Sequence, residues 1–73
     1  MKDEITVICL NIGYFDEWNN IDYIETKEDM DDVIRRMNLA TLNCTNFMVV
    51  EDLDVGERAI NVNYVTNIYK DKR

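Results

Sequence analysis

The alternation of apolar and polar positions predicts a β-strand at residues 5–12, which is the most apolar run of the chain. The residues of one face are Ile5, Val7 and Cys9, and those of the other are Ile8, Leu10 and Ile12. Side chains alternate between the two faces of a strand, so both faces here are apolar. This pattern is typical of a strand that is central in its sheet or has one face covered by a partner.

A period of 3.6 residues predicts one helix in the second half of residues 16–38. Its apolar stripe has the spacing i, i+3, i+4 and i+7 and consists of Met30, Val33, Ile34 and Met37. We expect Thr26 to be the N-cap, with Asp29 three residues later as a variant of the capping box. Asn38 is a plausible end, although apolar residues as far as Leu42 allow another turn.

Charged residues on the outer face of this helix are spaced for ion pairs. Asp31 precedes Arg35 by four residues, and Asp32 precedes Arg36 by four. An acid placed four residues before a base is the favourable orientation on a helix. We therefore predict these two pairs.

Shorter alternating segments predict four further strands. They lie at residues 21–25, 46–51, 57–63 and 65–69, with turns at Asn19 and Asn20, at residues 52–56 and near Asn63. The first strand, extended to Trp18, and the second form a hairpin that leads into the helix. The basic tail, residues 70–73, is expected to fray. The order ββαβββ predicts an α+β fold, an antiparallel sheet of about five strands with one helix on one face.

Length limits what this fold can bury. The 73 residues form one small domain, residues 1–73. A chain of this size buries only about 60% of its unfolded surface, so dimerisation is a common way to gain stability. One helix covers one sheet face, which predicts an apolar patch on the other face and a two-fold homodimer. A sheet that coils into a small barrel is the alternative.

The negative charge is concentrated in one segment of the sequence. Residues 16–32 contain eight carboxylates and one lysine, and the other residues have equal numbers of acids and bases, so this segment carries the whole net charge of −7. Helix capping and a solvated helix face account for the later acids, but not for those before the helix. The earlier acids are Asp16, Glu17, Asp22 and Glu25.

Aromatic side chains lie among these early acids. They are Tyr14, Phe15, Trp18 and Tyr23. Aromatic rings next to carboxylates are typical of a surface that binds a basic partner, because the rings bury area and the acids meet Arg and Lys. We predict a partner-binding site formed by Asp16, Glu17, Trp18, Asp22, Tyr23 and Glu25. The alternative is that the rings belong to the core and the acids only keep the hairpin soluble.

The residues needed for common catalytic and cofactor sites are missing. Serine and histidine are absent, which excludes Ser–His and Cys–His nucleophiles. Neither glycine lies in a phosphate-binding loop. The acidic turn from Asp52 to Glu57 lacks the spacing of a calcium loop, which would place Asn63 where a glutamate is required. We expect no enzyme activity, no metal and no cofactor.

The remaining features bear on location and partners. Cys9 and Cys44 are too few for a zinc site, and we expect both to be reduced and at least half-buried in a cytoplasmic protein. No segment has the length of a membrane span or the pattern of a signal peptide. A sequence pI near 4.3 argues against direct binding to nucleic acid or to anionic lipid.

The C-terminal third carries a resemblance. Its I-N-x-x-x-V-x-x-I segment, with Ile60, Asn61, Val65 and Ile68, resembles the ending of small acidic proteins of phages and mobile elements in low-GC bacteria. The resemblance implies an inhibitor that binds a host protein, with a charge similar to that of DNA.

These observations lead to two hypotheses of different class. The first is a non-enzymatic binding protein that occupies a basic, nucleic-acid-binding site on a host or defence protein, because such sites attract phosphate charge. The second is a structural or assembly module that self-associates through an open sheet face.

Overall fold

A computed structural model describes residues 4–11 and 21–72 of the chain. The described residues form one α-helix, five strands and a short 3₁₀ helix. In chain order they are β1 (Glu4–Asn11), β2 (Ile21–Thr26), α1 (Met30–Leu42), β3 (Phe47–Asp52), β4 (Gly56–Asn61), the 3₁₀ helix Val62–Tyr64 and β5 (Val65–Lys72). The predicted α+β class and the order ββαβββ are confirmed.

The strands form two antiparallel sheets, whereas one sheet was predicted. The first has the order β2-β1-β5, and the second is the hairpin β3-β4. The backbone N–H of Leu53, just after β3, donates to the carbonyl oxygen of Glu25 at 2.8 Å and joins the hairpin to the free edge of β2. The hairpin turns at Gly56, whose φ of 87° is a conformation that favours glycine.

Strand β1 is central, as its two apolar faces predicted. It pairs with β2 from Thr6 to Asn11 and with β5 from Glu4 to Leu10. The predicted extension of the first strand to Trp18 and the turn at Asn19 and Asn20 lie outside the described residues. The strand β5 extends to Lys72, so the tail that was expected to fray is ordered as strand up to that residue.

The main core joins both sheets to the helix. Its buried residues come from β1, β2, α1, the hairpin and the 3₁₀ helix, and they are Ile8, Leu10, Ile24, Val33, Ala40, Met48, Val50, Ile60 and Val62. From the predicted helical stripe, Val33 is fully buried and Met37 packs against this core. The periodicity therefore identified the buried side of the helix.

The second face of β1 is also buried. Ile5, Val7 and Cys9 form a separate cluster with relative exposures of 4, 3 and 8%. In the strand register Cys9 lies opposite Tyr23, and Val7 lies between Glu25 and Tyr69. The open apolar face that we expected on this strand is therefore not exposed in the single chain.

The start of the helix differs from the prediction. Asp29 is the N-cap residue, but its side chain makes no capping hydrogen bond. Thr26 is instead the buried last residue of β2, and its hydroxyl oxygen accepts a hydrogen bond from the N–H of Glu28 at 3.1 Å. The threonine hydroxyl thus bonds a backbone N–H in the turn between β2 and α1. The helix begins after this turn, at Met30, instead of directly after Thr26.

The far end of the helix continues beyond Asn38 to Leu42. The connector that follows contains Cys44 with a φ of 58° and Asn46 with a φ of 64°. Cys44 is exposed, whereas we expected it to be at least half-buried. Cys44 lies in a tight connector where its backbone is left-handed, and this position leaves the side chain exposed despite its apolar character.

Candidate functional site

Glu28 connects the start of the helix to the sheets. Its Oε1 accepts a hydrogen bond from Nη2 of Arg36 at 2.6 Å, and its Oε2 accepts one from the backbone N–H of Glu51 at 2.9 Å. Its carbonyl oxygen accepts from the hydroxyl of Thr6 at 2.7 Å. Glu28 therefore has a structural role, although its position in the sequence suggested only a dipole interaction at the helix terminus.

Arg36 completes this contact and does not form the predicted pair with Asp32. Its Nη1 donates to the carbonyl oxygen of Val49 at 2.5 Å, while Asp32 pairs with Arg35 at a spacing of three residues. The predicted pairs Asp31–Arg35 and Asp32–Arg36 are therefore wrong. An arginine that bonds both Glu28, before the helix, and a carbonyl oxygen of β3 is stabilised more than an arginine paired with an exposed neighbour on its own helix.

These contacts bring together two acidic segments that are far apart in the sequence. The hydrogen bonds from Glu51 to Glu28 and from Leu53 to Glu25 place the end of β3 beside the start of α1. We call the exposed carboxylates of this region the acidic end, and they are Asp29, Asp31, Glu51, Asp54 and Glu57. Segments that the sequence separates thus form one acidic surface.

The acidic end is not neutralised within the described part of the chain. None of its five carboxylates forms an ion pair with a described residue. Glu51 and Glu57 lie directly opposite each other in the β3-β4 register, and like charges in that position repel. In the same turn the side chains of Leu53 and Val55 are 46 and 69% exposed. Carboxylates that form no ion pair with a described residue thus accompany exposed apolar side chains in this turn.

Other carboxylates are occupied by Arg58, which joins the two sheets. Its Nη1 lies 3.0 Å from Oδ2 of Asp52 in β3, and its Nη2 lies 3.1 Å from Oδ2 of Asp22 in β2. The N–H of Asp54 donates to Oδ1 of Asp52 at 2.8 Å. That hydrogen bond, together with those from Arg58, lowers the pKa of Asp52 although burial acts in the opposite direction. The hydrogen bonds to Asp52 and Asp22 raise the pKa of Arg58.

The residues of the predicted partner site do not all lie together. Asp16, Glu17 and Trp18 lie outside the described residues. Tyr23 and Glu25 lie on the face of the three-stranded sheet that also holds Cys9 and Val7, whereas Asp22 lies on the opposite face, in register with Leu10. Because neighbouring residues of a strand point to opposite faces, these residues of β2 cannot form one continuous surface.

Tyr23 is the most exposed of the described residues in that site. Its side chain is 57% exposed, and Tyr69 of β5 on the same face is 42% exposed. Glu25 is half-buried, and its carbonyl oxygen accepts a hydrogen bond from the N–H of Leu53. This face therefore keeps the aromatic and acidic character that the sequence predicted, with Tyr69 as an additional ring.

Sequence reasoning did not identify the residues of the acidic end that come from the hairpin. Asp54 and Glu57 were noticed only as part of a turn that fails as a calcium loop. A relevant signal was present, since that turn combines acids with the exposed residues Leu53 and Val55. Its proximity to the start of the helix depends on contacts between distant residues, which the local pattern does not contain.

The structure also bears on metal binding and on membrane-spanning helices. Within residues 4–11 and 21–72, no group of three or more Cys, Asp or Glu side chains is placed to hold a metal ion. Over the same ranges, no helix is long and apolar enough to cross a membrane.

No protein-family model matches the chain, and no significant match was found among curated proteins or solved structures. Function therefore has to be inferred from the residues of this chain.

Proposed function

We propose that this chain is a non-enzymatic binding protein that uses an acidic surface to occupy a basic site on another protein. The observation that carries the proposal is the acidic end, where five exposed carboxylates have no basic partner among the described residues and where the hairpin turn also exposes Leu53 and Val55. Apolar side chains supply buried area at an interface, and the carboxylates select a basic partner.

A nucleic-acid-binding protein of a host or a defence system is the target class that this chemistry favours. Such proteins bind phosphates with clustered Lys and Arg, and a clustered set of carboxylates presents a similar charge. The resemblance of the C-terminal segment to small phage and mobile-element proteins supports an inhibitory role. In this proposal Tyr23 and Glu25, with Asp16, Glu17 and Trp18, extend the contact surface beyond the acidic end.

The burial of Ile5, Val7 and Cys9 within the single chain removes the argument for the alternative, self-association through an open sheet face. The acidic end also disfavours self-association, because a contact between the acidic ends of two copies would bring like charges together.

The test begins with the partner that copurifies with the tagged chain from its source cells and is identified by mass spectrometry. Its binding to the purified chain is then measured between about 50 and 500 mM salt, since exposed charges are screened over about 8–10 Å at physiological strength. We expect binding to weaken steeply with salt and DNA to compete for the same site. A complex that is indifferent to salt and to DNA contradicts the proposal.

Charge-neutralising variants locate the surface. We expect Asp54→Asn combined with Glu57→Gln to weaken binding, because these side chains are exposed and form no ion pair with a described residue. The matched control is Asp32→Asn combined with Glu4→Gln, since these carboxylates are already paired with Arg35 and Lys70. Equal losses from both double variants would show that net charge alone matters and would contradict a localised site.

A further inference from the structure

The outer edge of β4 has backbone groups that pair with no residue of the described part of the chain. The carbonyl of Val49 and the N–H of Glu51 bind Arg36 and Glu28, so these residues of β3 point away from β4. Their neighbours in β3 therefore bond to β4, at Ile60, Arg58 and Gly56. The backbone N–H and C=O groups of Glu57 and Ala59 and the N–H of Asn61 consequently point outwards, whereas the C=O of Asn61, the N-cap residue, accepts the first bond of the 3₁₀ helix. No described backbone group pairs with the outward-pointing groups.

Other strand edges of the molecule are covered or charged. Glu28 and Arg36 cover the second edge of β3, and the N–H of Leu53 pairs with the edge of β2. The remaining edge strand, β5, carries Lys70 and Lys72, and exposed lysines are a common protection against unwanted pairing. On β4 the central outward group belongs to Ala59, which carries no such protection.

An apolar cleft lies along this edge. Its volume is about 370 Å³, and we call it the β4 cleft. It is lined by Leu10, Asp22, Phe47, Arg58, Ala59, Ile60, Asn61 and Tyr64. Phe47 and Tyr64 are 57 and 49% exposed, so apolar surface remains available beside the unpaired backbone groups. An extended segment paired with β4 would place alternate side chains towards this cleft.

Charge indicates which segment fits. On the face of the hairpin opposite to Ile60, Glu57 faces Glu51 across the hairpin without a basic partner among the described residues. A new strand beside β4 would place one side chain next to Glu57, and a Lys or Arg there forms an opposite-charge cross-strand pair. The residue three positions away on that new strand would lie next to Ile60, and its side chain would point into the β4 cleft.

We propose that the outer edge of β4 binds an extended segment of a partner protein that carries a basic residue opposite Glu57 and an apolar residue, three positions away, opposite Ile60. This inference rests on the proposed function and specifies how the basic partner is held. The backbone groups of Glu57, Ala59 and Asn61 supply the hydrogen bonds, and the β4 cleft and Glu57 supply the selectivity.

The probe is a blocked, threonine-rich octapeptide with one lysine and one leucine three positions apart, made in both sequence directions. NMR titration to millimolar concentration should show shifts at the amides of Glu57, Ala59 and Asn61 and slower hydrogen exchange at Ala59. A control peptide with glutamate in place of lysine should bind at least about fivefold more weakly, the factor that about 1 kcal/mol corresponds to.

Two protein variants complete the test. Glu57→Lys should weaken binding of the lysine peptide about five- to tenfold, because an attractive cross-strand pair becomes a repulsive one. Asp32→Lys is the matched control, with the same charge change on the exposed surface of α1 at a carboxylate outside the acidic end, and should bind as the parent does. Ala59→Pro removes the outward N–H without removing a hydrogen bond to β3 and should also weaken binding.

Several outcomes would overturn the inference. They are equal effects of Glu57→Lys and Asp32→Lys, amide protection along β5 instead of β4, no binding of either peptide at millimolar concentration, or protection of Ala59 in the free chain by a second copy. If the peptides fail while neutralising Asp54 and Glu57 still weakens the copurified partner, the binding function stands and only this docking mode is wrong.

Discussion

Arg36 and Glu28 form an ion pair at 2.6 Å that covers the edge of β3. Arg36 donates to the carbonyl oxygen of Val49, and Glu28 accepts from the N–H of Glu51. The pair thereby satisfies two backbone groups that would otherwise offer this edge to another strand. It also fixes the start of α1 against the hairpin and so assembles the acidic end.

The first prediction concerns this pair. Replacing Arg36 with alanine should lower the free energy of unfolding by about 1–2 kcal/mol, because it removes a backbone hydrogen bond and leaves Glu28 unpaired. The ion pair is about one-third exposed, so solvent screening keeps the value below that of a buried pair. Urea denaturation followed by circular dichroism provides the measurement.

Arg35→Ala is the matched control for Arg36→Ala. The Arg35 side chain is 70% exposed and, among the described residues, pairs with Asp32 alone, so its removal should change stability by no more than about 0.5 kcal/mol. Similar losses in the two variants would mean that the edge contact contributes no particular stability.

The second prediction concerns Asp52 and pH. Because hydrogen bonds from Asp54 and Arg58 lower its pKa from about 3.8, the folded state favours the charged carboxylate. That stabilisation is present above the unfolded-state pKa and is lost as the pH falls below about 3.8 towards the lowered value. Asp52→Asn should therefore be less stable than the parent at pH 7, and the difference should shrink below pH 3.8.

Denaturation curves of both proteins over this pH range test the second prediction. Asp54→Asn removes an exposed carboxylate from the same turn and should change stability at pH 7 by no more than about 0.5 kcal/mol. A constant gap between the parent and Asp52→Asn at every pH would show that Asp52 contributes no pH-dependent stability.

The third prediction distinguishes the two cysteines. Cys44 is exposed and should react quickly with a thiol reagent in the native protein, whereas Cys9 is 8% exposed and should react only on unfolding. Cys9→Ala should cost about 1 kcal/mol, less than the 2–5 kcal/mol typical of a buried Leu→Ala change. Thiol titration with and without denaturant provides the measurement, and two fast thiols in the native protein would contradict the burial of Cys9.

The fourth prediction concerns oligomeric state. Both apolar faces of β1 are buried in the single chain, so the reason to expect dimerisation through an open sheet face is removed. We expect sedimentation equilibrium at micromolar concentration to give a mass near 8.7 kDa. A mass near twice that value would restore the self-association hypothesis.

Local patterns in the sequence were enough to predict the elements of secondary structure and their order. The helical stripe from Met30 to Met37 and the alternation in β1 are local patterns, and each reports which side of an element is apolar. Gly56 marked the hairpin turn because its positive φ is a local requirement. These predictions needed no knowledge of which elements meet in space.

Tertiary structure decided which polar groups meet. Glu28 and the N–H of Glu51 are 23 positions apart in the sequence, and Asp22 and Arg58 are 36 apart. Sequence reasoning paired each arginine with an acid on its own helix, since only those distances follow from helical geometry. Arg36 instead bonds Glu28, which precedes the helix, and the carbonyl oxygen of Val49 in β3. Thr26 accepts a hydrogen bond from the N–H of Glu28 in the turn before the helix instead of capping the helix.

The candidate site was predicted only in part, because sequence patterns are local and contacts between distant residues are not. Acidic and aromatic character was visible in the segment around Asp22, Tyr23 and Glu25, because composition is a local property. The separation of Asp22 from its neighbours follows from the strand, whose side chains alternate between faces. The joining of Asp54 and Glu57 to the start of the helix depends on packing between the hairpin and α1, so only the folded chain places these carboxylates on one surface.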